Sequence, residues 1–130
     1  MKGKIVTGTG RGAKFIALPI YFQIFKEELL ENPFCGTLNL KLAKEDRPAV
    51  NAIFEHGKPY LDLEFEGKKM GDIIVIRLKI GDNGRSVNCV GVRPKLTSHD
   101  QSILEVVARD NIRELWGVKD GDEIEIMLSY

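Results

Sequence analysis

Short runs in which apolar and polar residues alternate dominate this chain of 130 residues. A period of two marks strands with one buried face. It predicts strands over Lys4–Thr7, Lys14–Leu18, Gly36–Leu42, Tyr60–Phe65, Ile73–Ile80, Ser86–Val92, Ile103–Ala108 and Glu123–Leu128. Within Tyr60–Phe65 the alternation assigns Leu61, Leu63 and Phe65 to a buried face. Within Gly36–Leu42 it turns Leu38, Leu40 and Leu42 inward, with Thr37, Asn39 and Lys41 together on the opposite side. Two helices interrupt the strands. The first follows Pro19, a favourable first-turn residue, with Phe22, Phe25 and Leu29 on one side. The second covers Asn111–Trp116, with Asp110 as its N-cap and Gly117 as its stop. Residues 43–58 carry little pattern and read as irregular chain across the surface.

One internal echo adds to the picture. Gly71-Asp72-Ile73-Ile74-Val75-Ile76-Arg77-Leu78 parallels Gly121-Asp122-Glu123-Ile124-Glu125-Ile126-Met127-Leu128. A Gly-Asp turn before an alternating strand is common. Read as a duplication, it suits a small closed barrel of two related halves, each with strands and one helix. Many short strands without regular α/β alternation favour such a mainly β barrel over a doubly wound sheet.

Composition narrows the function classes. The length suits one domain, residues 1–130, large enough for its own core. Nineteen basic and nineteen acidic residues cancel, so no global field draws the chain to nucleic acid or an anionic membrane. The apolar runs are too short to span a bilayer and no apolar leader opens the chain. Cys35 and Cys89 lack metal-ligand spacing and read as reduced thiols, consistent with a cytoplasmic location.

Candidate chemistry concentrates in four places. Gly8-Thr9-Gly10-Arg11-Gly12-Ala13 is a basic glycine loop whose amides could approach an anion closely. With a strand expected after it, neither the dinucleotide fingerprint nor the Walker loop fits, leaving a strand–loop–strand cover over phosphates or an ordinary hairpin turn. On that reading a valine at Gly10 would crowd the loop. Thr37 and Asn39 offer two neutral oxygens on one strand face; Mg²⁺ accepts such ligands alongside water and phosphate, and a plain solvated face would look the same. Arg93, Lys95, Thr97 and Ser98 sit in a basic loop, with His99 beside them. Glu105, the sole charge in Ile103-Leu104-Glu105-Val106-Val107, either faces solvent or accepts a hydroxyl proton. Arg113 could meet a phosphate or pair with a carboxylate. Trp116 reads as core, and Cys35 needs no role beyond packing.

In this order and spacing, Gly8-Thr9-Gly10-Arg11-Gly12, Gly36-Thr37-Leu38-Asn39-Leu40, Pro94-Lys95-Leu96-Thr97-Ser98-His99 and Lys119-Asp120-Gly121-Asp122 resemble the archaeal-type CTP-dependent riboflavin kinases. The similarity spans nearly the whole chain and is weakest across 43–58. It implies a six-stranded cradle-loop (RIFT-type) barrel that transfers the γ-phosphate of CTP to the 5′-hydroxyl of riboflavin, giving FMN and CDP. It further implies that Gly8, Thr9, Gly10, Arg11, Gly12 and Ala13 wrap the nucleotide phosphates, with Asp110, Asn111, Ile112 and Arg113 completing that site through backbone contacts. Thr37 and Asn39 would hold Mg²⁺, while Thr97 and Glu105 would contact the flavin. Glu105 is the candidate for orienting or deprotonating the hydroxyl. Some relatives carry an N-terminal winged-helix domain; the resemblance leads to the expectation that this chain opens directly on the barrel. The expected protein is a monomer with no nucleic-acid or membrane partner. The rival class is a non-catalytic small-barrel module that binds nucleotide, flavin or nucleic acid, and the missing aromatic–basic stripe counts against nucleic acid.

Overall fold

Antiparallel pairing closes the main sheet on itself. In the computed structural model, which describes residues 1–8, 10–94 and 101–128, the elements are β1 (Lys2–Val6), α1 (Arg11–Ala17), α2 (Pro19–Leu29), β2 (Leu38–Leu42), a 3₁₀ turn (Lys44–Asp46), α3 (Arg47–Glu55), β3 (Lys58–Tyr60), β4 (Glu64–Phe65), β5 (Lys68–Lys69), β6 (Ile73–Asp82), β7 (Arg85–Pro94), β8 (Ile103–Val107), α4 (Ile112–Trp116) and β9 (Glu123–Leu128). The strand order β6-β7-β8-β2-β1-β9 returns to β6 through the β6–β9 pairing, giving a six-stranded barrel. β3 extends the edge of β6, and β4 and β5 form a separate two-stranded ribbon. Closure leaves none of the six barrel strands with a fully unpaired edge.

The duplication is visible in the ladder. β6 and β9, the two echo segments, are neighbours, and Leu78 and Leu128, equivalent residues in the echo, are themselves Cα partners. A local dyad therefore passes between them. Exchanging β1 with β7, β2 with β8 and β6 with β9 reproduces every pairing in the barrel. Each half is strand–strand–helix–strand, with α3 and α4 as the equivalent helices.

Period-two alternation sorts the side chains into two cores. Leu38, Leu40 and Leu42 of β2, Leu78 and Ile80 of β6, Leu104 and Val106 of β8, and Ile124 and Ile126 of β9 fill the barrel. Cys89 belongs to this interior, and burial pushes its thiol well above the ordinary value. On the outer face, Ile73, Val75, Val90, Val92 and Val107 pack against Ile16 of α1 and Tyr21, Ile24 and Phe25 of α2. β6 and β7 join through Asn83-Gly84, both left-handed (φ 48° and 78°), as a two-residue hairpin turn of the primed type requires.

Five expectations change. Lys14–Leu18 is not a strand; most of it lies in α1, and the glycine segment is therefore strand–loop–helix. A short apolar run cannot be assigned by periodicity alone, and here Gly12, Phe15 and Ile16 share a helical face. Residues 43–58 are largely helical: Pro48 falls in the first turn of α3, and Val50 and Phe54, one turn apart, are buried. Tyr60–Phe65 is not continuous, since β3 ends at Tyr60, Asp62 is left-handed (φ 55°) and Leu61 is 42% exposed. The α2 face centres on Tyr21, Ile24, Phe25 and Glu28, so of the three predicted residues only Phe25 is fully inside. Gly117 ends α4 as expected (φ 64°), but Asn111, not Asp110, occupies the N-cap position and makes no side-chain cap.

Among the described residues, Glu28 is the one buried acidic side chain, only 4% exposed. It accepts hydrogen bonds from the Tyr60 hydroxyl, from Lys58 Nζ at 3.1 Å and from Arg77 Nε at 3.2 Å. Burial acts to raise its pKa, but the three donors outweigh burial and hold it below the ordinary value of 4.5. A lowered folded-state pKa stabilises the fold above pH 4.5 and loses that contribution as pH falls through the lowered value. Glu28→Gln should therefore cost about 2 kcal/mol at pH 7, with the gap to wild type closing below pH 4.5. Urea unfolding at a series of pH values measures this.

Candidate active site

Because the barrel interior is filled, the site forms outside it. Alternation turns Asn39 of β2, Ile103 and Glu105 of β8, Val92 and Pro94 of β7 and Ile73 of β6 to the outer surface, where they line one cavity of about 620 Å³. Phe15, Arg11 and Gly12 of α1, Tyr21 of α2, Val6, Thr7 and Gly8 at the end of β1, and Thr37, Gly71 and Asp72 complete its walls. Asn39 lies between two neighbours in register, Val6 on β1 and Glu105 on β8. The predicted pairing of Thr37 and Asn39 on one face therefore holds, and Glu105 joins them.

The glycine loop and this polar strand face are in direct contact. A Cβ built on Gly8 would overlap the Asn39 amide nitrogen, and one on Gly12 would stand 2.5 Å from Thr37 Oγ1 and 3.2 Å from Thr37 Cβ. Gly10 is different: a Cβ there meets nothing within 4 Å, but its φ of 79° disfavours other residues at the start of α1. A valine at Gly10 would thus be strained by its backbone, not crowded by neighbours. Gly8, Arg11 and Gly12 line the cavity; Gly10 and Ala13 are not among its lining residues. Thr9, Thr97 and His99 lie outside the described residues.

Asp110, Asn111, Ile112 and Arg113 meet Phe34 and Gly36 around a smaller cleft of about 40 Å³, and Thr37 lines both this cleft and the large cavity. Arg113 is paired: its Nη2 donates to Asp120 Oδ1 at 2.6 Å and to the Val6 carbonyl at 3.3 Å. Thr7 donates its hydroxyl to the other oxygen of Asp120. These bonds, Thr7 first and then Arg113, hold the Asp120 carboxyl below its usual range. They tie the root of the glycine loop to α4 and to the turn before β9.

Several lining residues were not singled out from sequence. Phe15 and Tyr21 pack with ring centroids 4.1 Å apart and planes tilted by 37°, and the Tyr21 hydroxyl donates to the Gly71 carbonyl at 2.7 Å. Burial raises the Tyr21 pKa, with the hydrogen bond to Gly71 opposing and Asp72 adding to the rise. Asp72 was legible only as part of the Gly-Asp echo; its Oδ1 accepts the Asp62 amide at 2.9 Å. Among the described residues, no group of three or more His, Cys, Asp or Glu side chains is placed to hold a metal. Any ion at Thr37 and Asn39 would meet two neutral oxygens, a donor set that fits Mg²⁺ completing its shell with water and phosphate. No described helix is long and apolar enough to cross a membrane.

An outward-facing polar strand touched by a glycine loop, on a duplicated six-stranded barrel, frames this cavity. The family model CTP-dep_RFKase, described as "Domain of unknown function DUF120", matches residues 5–128, and the chain belongs to this family. Relatives named "Riboflavin kinase" include one from Thermofilum pendens, 33% identical over 131 residues, covering 98% of this chain and 58% of that protein. One from Methanocella arvoryzae is 34% identical, covering 98% of this chain and 56% of that protein. One from Methanococcus vannielii is 33% identical, covering 96% and 94%. The chain thus spans little more than half the length of the first two.

Contact of the two glycines with the polar strand generates a contrast. Gly12→Ala should cost about 1–3 kcal/mol, because Thr37 Cβ, 3.2 Å from the added methyl, cannot rotate away. Gly8→Ala should cost less, since the short Asn39 amide can turn aside, and Gly10→Asn should be near neutral because asparagine tolerates the left-handed region. Thermal denaturation of the three variants distinguishes these costs.

Proposed function

We propose that this chain phosphorylates riboflavin, transferring the γ-phosphate of CTP to the 5′-hydroxyl to give FMN and CDP. The observation that carries the reading is the seating of Gly8 and Gly12 on Asn39 and Thr37, beside a largely apolar cavity, in a chain of this family. CTP as donor rests on the family's name and on the resemblance of the motifs.

The parts divide by chemistry. Phe15, Ile73, Val92 and Pro94 supply apolar walls suited to a planar ring system. Residues 8–13 cover the phosphates, with Gly8, Arg11 and Gly12 at the cavity wall and the missing Cβ atoms of Gly8 and Gly12 letting the loop seat on Asn39 and Thr37. Asp110 to Arg113, reached through Thr37, complete the nucleotide site. Thr37 and Asn39 would hold Mg²⁺, which when bound neutralises charge on the phosphoryl oxygens. Phosphoryl transfer passes through a loose transition state, so alignment and preorganised donors provide most of the acceleration. Glu105, next to Asn39 in the ladder, orients or deprotonates the attacking hydroxyl. Thr97 is proposed, from the resemblance, as a further flavin contact.

The test is direct. Purified chain with riboflavin, Mg²⁺ and CTP should form FMN, followed by chromatography, and ATP in place of CTP should support far less. Riboflavin binding without turnover would instead leave a binding module. Asn39→Ala should lower kcat by about 10²-fold or more while moving the riboflavin Kd less than about threefold. Matched losses in both would assign Asn39 to folding.

A further inference from the structure

We propose that Asn51 is a positioning residue for the apolar half of the cavity, because its single amide holds both ends of the β7–β8 connection. The inference rests on the riboflavin reading above for the identity of what that half binds.

Arg93 and Gln101 flank the connection, and both meet Asn51. Arg93 Nη1 donates to Asn51 Oδ1 at 2.9 Å, and Asn51 Nδ2 donates to Gln101 Oε1 at 2.9 Å. The amide's orientation is fixed by chemistry. Arginine only donates, so the oxygen must face Arg93 and the NH₂ must face Gln101. One asparagine thus accepts from the departing strand and donates to the returning one.

Arg93 has few alternatives. It is 9% exposed, its guanidinium lies 4.2 Å from the centroid of the Phe54 ring, and its Nη2 is buried without a hydrogen-bond partner among the described residues. Among the described residues it makes no ion pair. Burial lowers its pKa. Asn51 and Phe54 are one turn apart on α3, so the same helix face supplies the hydrogen bond and the ring. The consequence for the site is geometric. Pro94 follows Arg93 and Ile103 lies two residues beyond Gln101, and both line the cavity. The β7–β8 ladder pairs as far as Val92 and Glu105. Past that rung, among the described residues, Asn51 bridges Arg93 and Gln101.

Gln101→Ala, Asn51→Leu and the double variant test this, with riboflavin Kd from quenching of flavin fluorescence, KM for each substrate, and Tm. Gln101 is exposed, so its variant should keep the wild-type Tm. It should raise the Kd and KM for riboflavin about three- to tenfold while KM for CTP stays within about twofold. Asn51→Leu should do at least as much, and adding Gln101→Ala to it should change nothing further. Unchanged riboflavin affinity in both single variants would overturn the proposal. So would equal rises in both KM values with a fallen Tm, which would mark a purely structural role. Wild-type chain that fails to bind riboflavin would overturn the flavin reading along with it.

Discussion

Everything about this molecule depends on the barrel interior being full. Leucine, isoleucine and valine from β2, β6, β8 and β9 occupy the inside, leaving no room there for a ligand. Alternation then turns Asn39, Lys41, Arg77, Lys79, Glu105, Glu123 and Glu125 of the same strands outward. Asn39 and Glu105 are outside because Leu38, Leu40, Leu104 and Val106 are inside. A strand that slipped by one residue would bury the amide and the carboxylate and expose the leucines. Packing and chemistry are two faces of one pattern.

The second constraint is asymmetry laid over a dyad. The β1–β2 and β7–β8 connections are equivalent under the exchange of halves. The first has grown to hold the glycine loop, α1 and α2, and α2 anchors that insertion to the outer face through Phe25 and Glu28. The second is short, and its ends meet on α3. The two connections flank one cavity, with Gly8 and Gly12 reaching it from one and Pro94 and Ile103 from the other. The Thr7–Asp120–Arg113 bonds then tie the inserted loop back to the second half.

The barrel was legible because its strands alternate and its two halves echo. Gly71–Leu78 and Gly121–Leu128 proved to be neighbours, paired at equivalent leucines. Thr37, Asn39 and Glu105 were legible for the same reason, since a period of two places them without knowledge of the fold. What alternation could not supply were the short helices. α1 contains an apolar run that reads equally as strand, and α3 buries only Val50 and Phe54, too few to establish a stripe. Phe15 and Tyr21 were missed as cavity walls because their meeting depends on how α1 and α2 dock. Asn51 was missed because its partners lie far along the chain, at Arg93 and Gln101. Expectations at Thr9 and Thr97 fall outside the described residues.

The dyad also sets a number. A scaffold made of two like halves invites a matching pair of ligand pockets, one per repeat. Among the described residues the long helical insertion belongs to one half, and the cavity beside it is lined by residues of both. Doubling the unit has therefore produced one cavity whose walls come from each copy, Asn39 and Ile73 from the first and Val92 and Glu105 from the second.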